Sequence, residues 1–407
     1  MSIAIVFARS SRSPTPGWRC LPQRPLDGVV ALRFGPTAVG DIEAILDLLT
    51  HYDMPRAAFE PYYRKDSSYR PEHSWIARDN GEILAHLRIY PRRMRLDGGM
   101  VRMAGIGNVV IARHARGRGL ARVLLERVVE HLDNADYALS LLWTHVPGVY
   151  ATHGWHPLPQ ESLIVQFDVG SHRDEEAVEP GTEHDVDAAL ALQEIADAHR
   201  TGTLLRGRDE WDTQRWRRDE GDLDFRVVRQ TTDSLRGYVR TRIRGEDVQV
   251  LELGAMPGDV PLARALLGAS SRPARRLHVT LPPSLRAAVL DHEIVEQLPS
   301  QLMVRVCSPE LLVHAIGGAL QERVGASSET VSLWGASGPF TLTVDASDAR
   351  LDSVSRTTPL DGARSCSLLL YGAAAPMGPN LEDRPDATRL RRLFPPQDTV
   401  FWPVDRF

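Results

Sequence analysis

Lysine is almost missing from this chain. Lys65 is the only one, and arginine carries nearly all the positive charge in a sequence rich in Ala, Gly, Pro and Arg, the bias of a GC-rich genome. Cysteine is scarce too. Cys20, Cys307 and Cys366 are far apart and form no CxxC pair, which excludes a disulfide scaffold and a cysteine metal site and favours a reducing, cytoplasmic setting. No apolar run approaches the 18 residues of a membrane span, and Met1–Val6 is too short for a signal peptide and runs into arginines. Basic charge is not in excess. With 48 Lys and Arg against 53 Asp and Glu, the net charge is −5, so no basic field argues for nucleic acid. What remains is a soluble globular composition, 43% hydrophobic and 25% charged, long enough at 407 residues for two to four domains.

One stretch organises the rest. Asn108-Val-Val-Ile111 reads as the end of an apolar strand, with β-branched residues in a row. Leu120, Val123, Leu124, Val128 and Leu132 recur at spacings of three and four, the pattern of an amphipathic helix. Between them lies Arg116-Gly117-Arg118-Gly119-Leu120-Ala121. Glycines permit close backbone approach, free N–H groups at a helix start attract an anion such as a diphosphate, and arginines add charge-assisted bonds. Neither the three-glycine dinucleotide fingerprint nor the G-K-[ST] of a P-loop is present.

The loop does fit Arg/Gln-x-x-Gly-x-Gly/Ala, filled by Arg116, Gly119 and Ala121, and there the chain resembles the GNAT superfamily of acyl-CoA-dependent N-acyltransferases. The resemblance implies that Val109, Val110, Ile111, Arg116, Gly117, Arg118, Gly119, Leu120 and Ala121 bind acyl-CoA. Taken in order, residues 1–28 read as a flexible extension. Residues 29–169 read as the active GNAT unit, closed by a strand at Leu163–Phe167. After an acidic linker, residues 181–295 repeat the order of elements, but the turn Gly254–Pro261 lacks the loop pattern and Asp259 would repel a diphosphate, so this copy reads as degenerate. Residues 300–407, opening with a strand at Gln301–Val306, look like a sterol-carrier-protein-like domain. The fold class is therefore α/β (α+β): two tandem GNAT folds and a sterol-carrier-like unit.

That combination, with Val149-Tyr150-x-x-x-Gly154, Arg200-x-Gly-x-Leu204, Trp211 and a final Phe407, resembles the Eis (enhanced intracellular survival) family. The resemblance implies acetyl-CoA as donor without a metal, direct transfer in a ternary complex to a primary amine of an aminoglycoside, another small molecule or lysine, and a hexamer. It implies Tyr150 as the acid beside the leaving sulfur and the Phe407 carboxylate as the base. An N–H near Val109–Ile111 would hold the oxyanion. Asp53, Phe59 and Trp143 are candidate acceptor contacts, the aromatic segment Tyr52–Tyr69 forming either a lip over a pocket or a pair of short helices. Arg406 stands where an acidic residue would suit a polycationic acceptor. Two other readings stay open: a longer acyl-CoA donor in specialised metabolism, and a non-catalytic lipid-binding protein.

Overall fold

The computed structural model describes residues 32–52, 55–166, 177–216, 223–245, 247–270, 276–335, 338–352, 358–373 and 378–406. The expected extension 1–28, Asp53 and Phe407 lie outside the described residues.

Apolar, β-branched runs assemble two seven-stranded sheets. In the first the spatial order is Arg33–Pro36 (β1), Ser74–Asp79 (β2), Glu82–Leu96 (β3), Gly99–Ile111 (β4), Leu139–Trp143 (β5), Leu302–Val306 (β14) and His156–Pro157 (β6). The second runs Glu293–Leu298 (β13), Ser162–Gln166 (β7), Arg276–Val279 (β12), Asp247–Gly254 (β11), Ser234–Arg244 (β10), Leu223–Thr231 (β9) and Glu179–Pro180 (β8). Strands Glu329–Gly335 (β15), Gly338–Val344 (β16) and Ala349–Asp352 (β17) make a third, antiparallel sheet.

The numbering exposes a correction. The strand expected to close the first unit, β7, pairs instead with β12 and β13 in the second sheet, where Leu163 and Val165 are buried in its core. In return β14, expected to open the third unit, lies between β5 and β6 in the first sheet. Each sheet borrows a strand from sequence the reading gave to another unit. Periodicity marks a segment as a strand but carries no information about which distant edge accepts it.

In the first unit, helix α1 (Ile42–Leu49) buries Ile45, Leu46, Leu48 and Leu49, followed by the short α2 (Glu60–Arg64). Helix α3 (Leu120–Asn134) buries Leu120, Leu124, Leu125, Val128 and Leu132 into the same core, each worth about 1.5–3 kcal/mol. A single turn, α4 (Pro147–Ala151), follows β5. Helices α5 (Val186–Asp197), α6 (Arg208–Trp216) and α7 (Val260–Ser270) belong to the second unit, and α8 (Pro309–Val324), α9 (Gly362–Tyr371) and α10 (Ala387–Leu393) to the third. The third unit shares one core with the far halves of β3 and β4, through Met94, Leu96, Val101 and Met103.

The last described residues are built into the seam between units. Thr399 pairs with Thr201, Val400 N–H donates to the Thr201 carbonyl at 3.0 Å, and Phe401 to Asp405 are all buried. Gly202 permits this approach, since a Cβ there would stand 2.7 Å from the Val400 carbonyl oxygen.

Candidate active site

The site begins where β4 leaves its neighbour. Parallel pairing of β4 with β5 covers Met103–Ile106 against Leu139–Leu142, and residues 107–111 have no β5 partner among the described residues. A bulge at Asn108–Val109 accompanies the parting: these two residues of β4 oppose Leu87 alone on β3, and Asn108 has φ of 53°. Beyond the bulge, Ala112 N–H donates to the Leu84 carbonyl on β3. Alternation along the strand therefore turns the Ile111 N–H to the open edge. Tyr52 closes over this edge, its hydroxyl donating to the Val109 carbonyl and its ring stacked 5.9 Å from Phe59.

Downstream the strand turns into α3. Gly119, at the N-cap, has φ of 78°, and the helix has neither a side-chain cap nor an acidic residue in its first turn. Its first N–H groups and the positive end of its dipole are left to an incoming anion. They face a cavity of about 400 Å³ lined by Val109, Val110, Ile111, Arg116, Gly117, Gly119, Leu120 and Ala121, with His51, Tyr52, Arg122, Val149, Thr152 and His153 among the rest. Arg118 does not line it and instead lies 3.7 Å from Asp79. The corresponding turn of the second unit is chemically opposite. There Asp259 accepts from the Leu262 N–H of α7 at 3.3 Å, and Pro261 removes a donor. A carboxylate already occupies the place an anion would take.

The turn α4 stands at the end of β5, bringing Val149, Thr152 and His153 to the cavity. Tyr150 on the same turn is buried and meets Trp155 edge to face at 6.3 Å. Burial pushes its phenol above the ordinary tyrosine value, so the proton stays on oxygen at any working pH. Tyr52 is raised likewise, first by burial and then by the phenols of Tyr150 and Tyr90. Phe59 is buried behind Tyr52 and does not line the cavity.

Trp143 ends β5 half-buried, and the Arg406 guanidinium lies over its ring at 6.0 Å. The tail reaches this point under tension of charge. Asp405 is buried 3.5 Å from Arg206, which also bonds Glu252. Burial pushes the Asp405 carboxyl up to about 6 against the pull of Arg206, with Glu252 adding to the rise.

Reading from sequence passed over a buried network beneath the bulge. Arg88 is fully buried, bonded to Asp66 at 2.6 Å and to the Tyr62 carbonyl, with Tyr90 and Tyr69 at 4.1 and 4.6 Å from its guanidinium. Desolvation alone would raise Asp66, but Arg88 and Arg92 hold it below its usual value. The signal was available: His86 and Arg88 interrupt the apolar run Ile83–Tyr90, where polar residues need buried partners.

Comparison with known proteins agrees with this geometry. Residues 39–158 match the family model described as an acetyltransferase (GNAT) domain. No curated protein matches the chain. Among solved structures, a GCN5-related N-acetyltransferase from Kribbella flavida is 21% identical with a TM-score of 0.70, covering 93% of this chain and 98% of that one. A GCN5-related N-acetyltransferase from Anabaena variabilis is 15% identical at 0.69, covering 93% and 100%. Eis1 from Mycobacterium abscessus is 15% identical at 0.65, with the same coverage. At these identities the likeness is one of fold, and it extends over the tandem sheets and the extra α+β unit. Residues 39–158 therefore carry a GNAT acetyltransferase domain, a fold that takes its acyl group from acyl-CoA.

Proposed function

We propose that the chain transfers an acetyl group from acetyl-CoA to a primary amine in a ternary complex. The observation that carries this reading is the uncapped N-terminus of α3, which faces a cavity that continues to the unpaired edge of β4. The diphosphate would sit on the α3 amides and Arg116, and the pantetheine along residues 109–111. The amine nitrogen attacks the thioester carbon, forming the N–C bond while the Ile111 N–H receives the developing oxyanion. The C–S bond then breaks, and the departing thiolate takes the Tyr150 proton.

For the proton released by the amine, the Phe407 α-carboxylate is the proposed base. Support comes from the residues before it: the tail is buried through Asp405 and delivers Arg406 to Trp143, at the end of the strand that precedes Tyr150. The second unit is proposed to bind no CoA, because Asp259 caps α7. The third, with its three-stranded antiparallel sheet and three helices, is read as sterol-carrier-like. Arg406 in the acceptor region disfavours a polycationic aminoglycoside.

The test is acetyl transfer to an aminoglycoside, an arylalkylamine and a lysine peptide, followed by thiol release. A short extension after Phe407 should abolish transfer while leaving acetyl-CoA binding and the melting temperature unchanged. Full activity in the extended protein would remove the carboxylate base. Thiol release with longer acyl-CoAs but not acetyl-CoA would reassign the donor.

A further inference from the structure

Two arginines stand opposite each other across β3 and β4. Arg93 and Arg102 are direct partners in the antiparallel register, so their side chains leave the sheet on one face, about 5 Å apart at Cβ. Like charges so placed destabilise a sheet. Arg102 is compensated: it pairs with Asp136, and its guanidinium lies 4.6 Å over the Tyr137 ring. Arg93 is not. It is exposed, and its side chain has no hydrogen bond, ion pair or ring contact among the described residues.

The pair lies in an open groove of about 520 Å³ between the first and second units. Its floor is Arg92, Arg93 and Arg102, and its wall is Leu205, Gly207 and Glu210. The wall is fixed to the floor by the backbone, since Leu205 N–H donates to the Arg93 carbonyl at 2.9 Å and Leu204 bridges Met94. Glu210, the single carboxylate in the lining, is already engaged: it accepts from the Gly207 N–H at 2.9 Å. Arg206 turns its guanidinium inward to Glu252 and Asp405 and leaves the groove to the other arginines. At the rim Arg92 donates to Ser68 at 3.0 Å, so the groove runs up to the aromatic segment that closes over β4.

Arg102 and Val109 are seven residues apart on β4, roughly 20 Å. A small amine beside Val109 would not fill this groove, so its ligand is a different molecule or a much longer one. Guanidinium forks match carboxylates and phosphates alike. A phosphate backbone needs a broad run of cations, and here Asp136 and Glu210 interrupt the arginines. An extended peptide suits them better. Its alternate side chains share one face, and two carboxylates at that spacing can fall on two neighbouring arginines.

We propose that this groove docks an acidic segment of a partner protein, a run such as Glu-x-Glu whose carboxylates fork onto Arg93 and Arg102. The repulsion between the two arginines in the free protein is relieved when the segment binds. Docking here is independent of the acyl-transfer reading.

Fluorescence anisotropy with a labelled peptide of alternating Glu and Ser, set against the same peptide with Gln for Glu, reads this binding directly. Wild type should bind the acidic peptide with a Kd of roughly 0.1 mM or tighter at about 0.05 M salt, at least tenfold better than the Gln peptide, and lose most of that margin at about 0.5 M. Arg93→Gln should weaken binding about 3–5-fold and Arg93→Glu at least tenfold. Arg364→Gln, at another exposed arginine, is the control and should bind as wild type does. Both Arg93 variants should melt no lower than wild type. A lowered melting temperature in both would make Arg93 a structural residue and overturn the inference. Equal affinity for the two peptides, Arg93 variants that bind as wild type does, or a matching loss in Arg364→Gln would overturn it as well. Displacement of the peptide by equimolar inorganic phosphate, or tighter binding of a single-stranded RNA oligomer through Arg93, would assign another anion and overturn the peptide partner.

Discussion

Gly119→Ala separates backbone strain from loss of the anion site. Gly119 has φ of 78°, and a Cβ built there would meet nothing within 4 Å, so the folded protein can accept the methyl without a clash. The left-handed conformation costs a non-glycine residue about 1–2 kcal/mol, all of it charged to stability. Binding suffers differently, because the methyl projects from the N-cap of α3 toward the cavity lining. If it pushes a phosphate oxygen off two amides, each charge-assisted bond lost is worth about 1.5–3 kcal/mol. The total of about 3–6 kcal/mol predicts acyl-CoA binding weakened by about 100-fold or more. Gly258→Ala is the matched control. Its φ is 83° and it too has open space, but it precedes the α7 terminus that Asp259 already caps. Calorimetric titration with acetyl-CoA, alongside thermal melting, reads both effects. Wild type should bind one molecule per chain, Gly258→Ala should melt lower yet bind normally, and Gly119→Ala should melt similarly lower and bind weakly. Gly119→Ala binding within twofold of wild type would refute the cradle, and two molecules per chain would refute the silent second unit.

Two further expectations concern protons. Tyr150→Phe should reduce kcat well over tenfold with acetyl-CoA affinity intact, measured by thiol release; unchanged kcat would remove the acid. Stability should fall as pH drops from 6.5 towards 4. His86 binds a proton near 6.5 when unfolded but only near 4 when folded, so acid favours the unfolded chain. Asp405 works the other way: raised to about 6, its contribution is present below the ordinary carboxylate value and lost as pH rises through 6. Denaturation midpoints between pH 4 and 7 should show His86→Gln flattening the acid loss and Asp405→Asn steepening it. A His86→Gln profile that matches wild type would contradict the buried neutral imidazole.

What could be read in advance was local. The loop at Arg116–Ala121 is legible because glycine conformation, helix start and charge all lie within a few residues. Helix α3 is legible from its spacing, and the aromatic segment after Tyr52 divides between a cavity lid and short helices with Phe59, Tyr63 and Tyr69 buried. Illegible features depend on distant partners. Nothing in Ser162–Gln166 says that it will hydrogen-bond Arg276–Val279 rather than a strand nearby. In sequence Asn108 is only the first residue of an apolar strand end; that its amide bonds the hydroxyls of Tyr63 and Tyr90, 45 and 18 residues away, depends on the fold.

The exchange of β7 and β14 between sheets sets a timetable for synthesis. Strand β5 ends at Trp143, and the strand that pairs along Leu139–Trp143 finishes at Val306. At about 5–20 residues per second, the nascent first sheet waits roughly 8–30 s with that edge uncovered. Meanwhile β7, already made, waits for Arg276–Val279 and Glu293–Leu298. An unpaired apolar edge is a template for wrong pairing. Slow translation or a stall before residue 306 therefore carries a hazard that an independently folding first unit would escape, and a fragment stopping at residue 166 would expose one unfilled edge and one homeless strand.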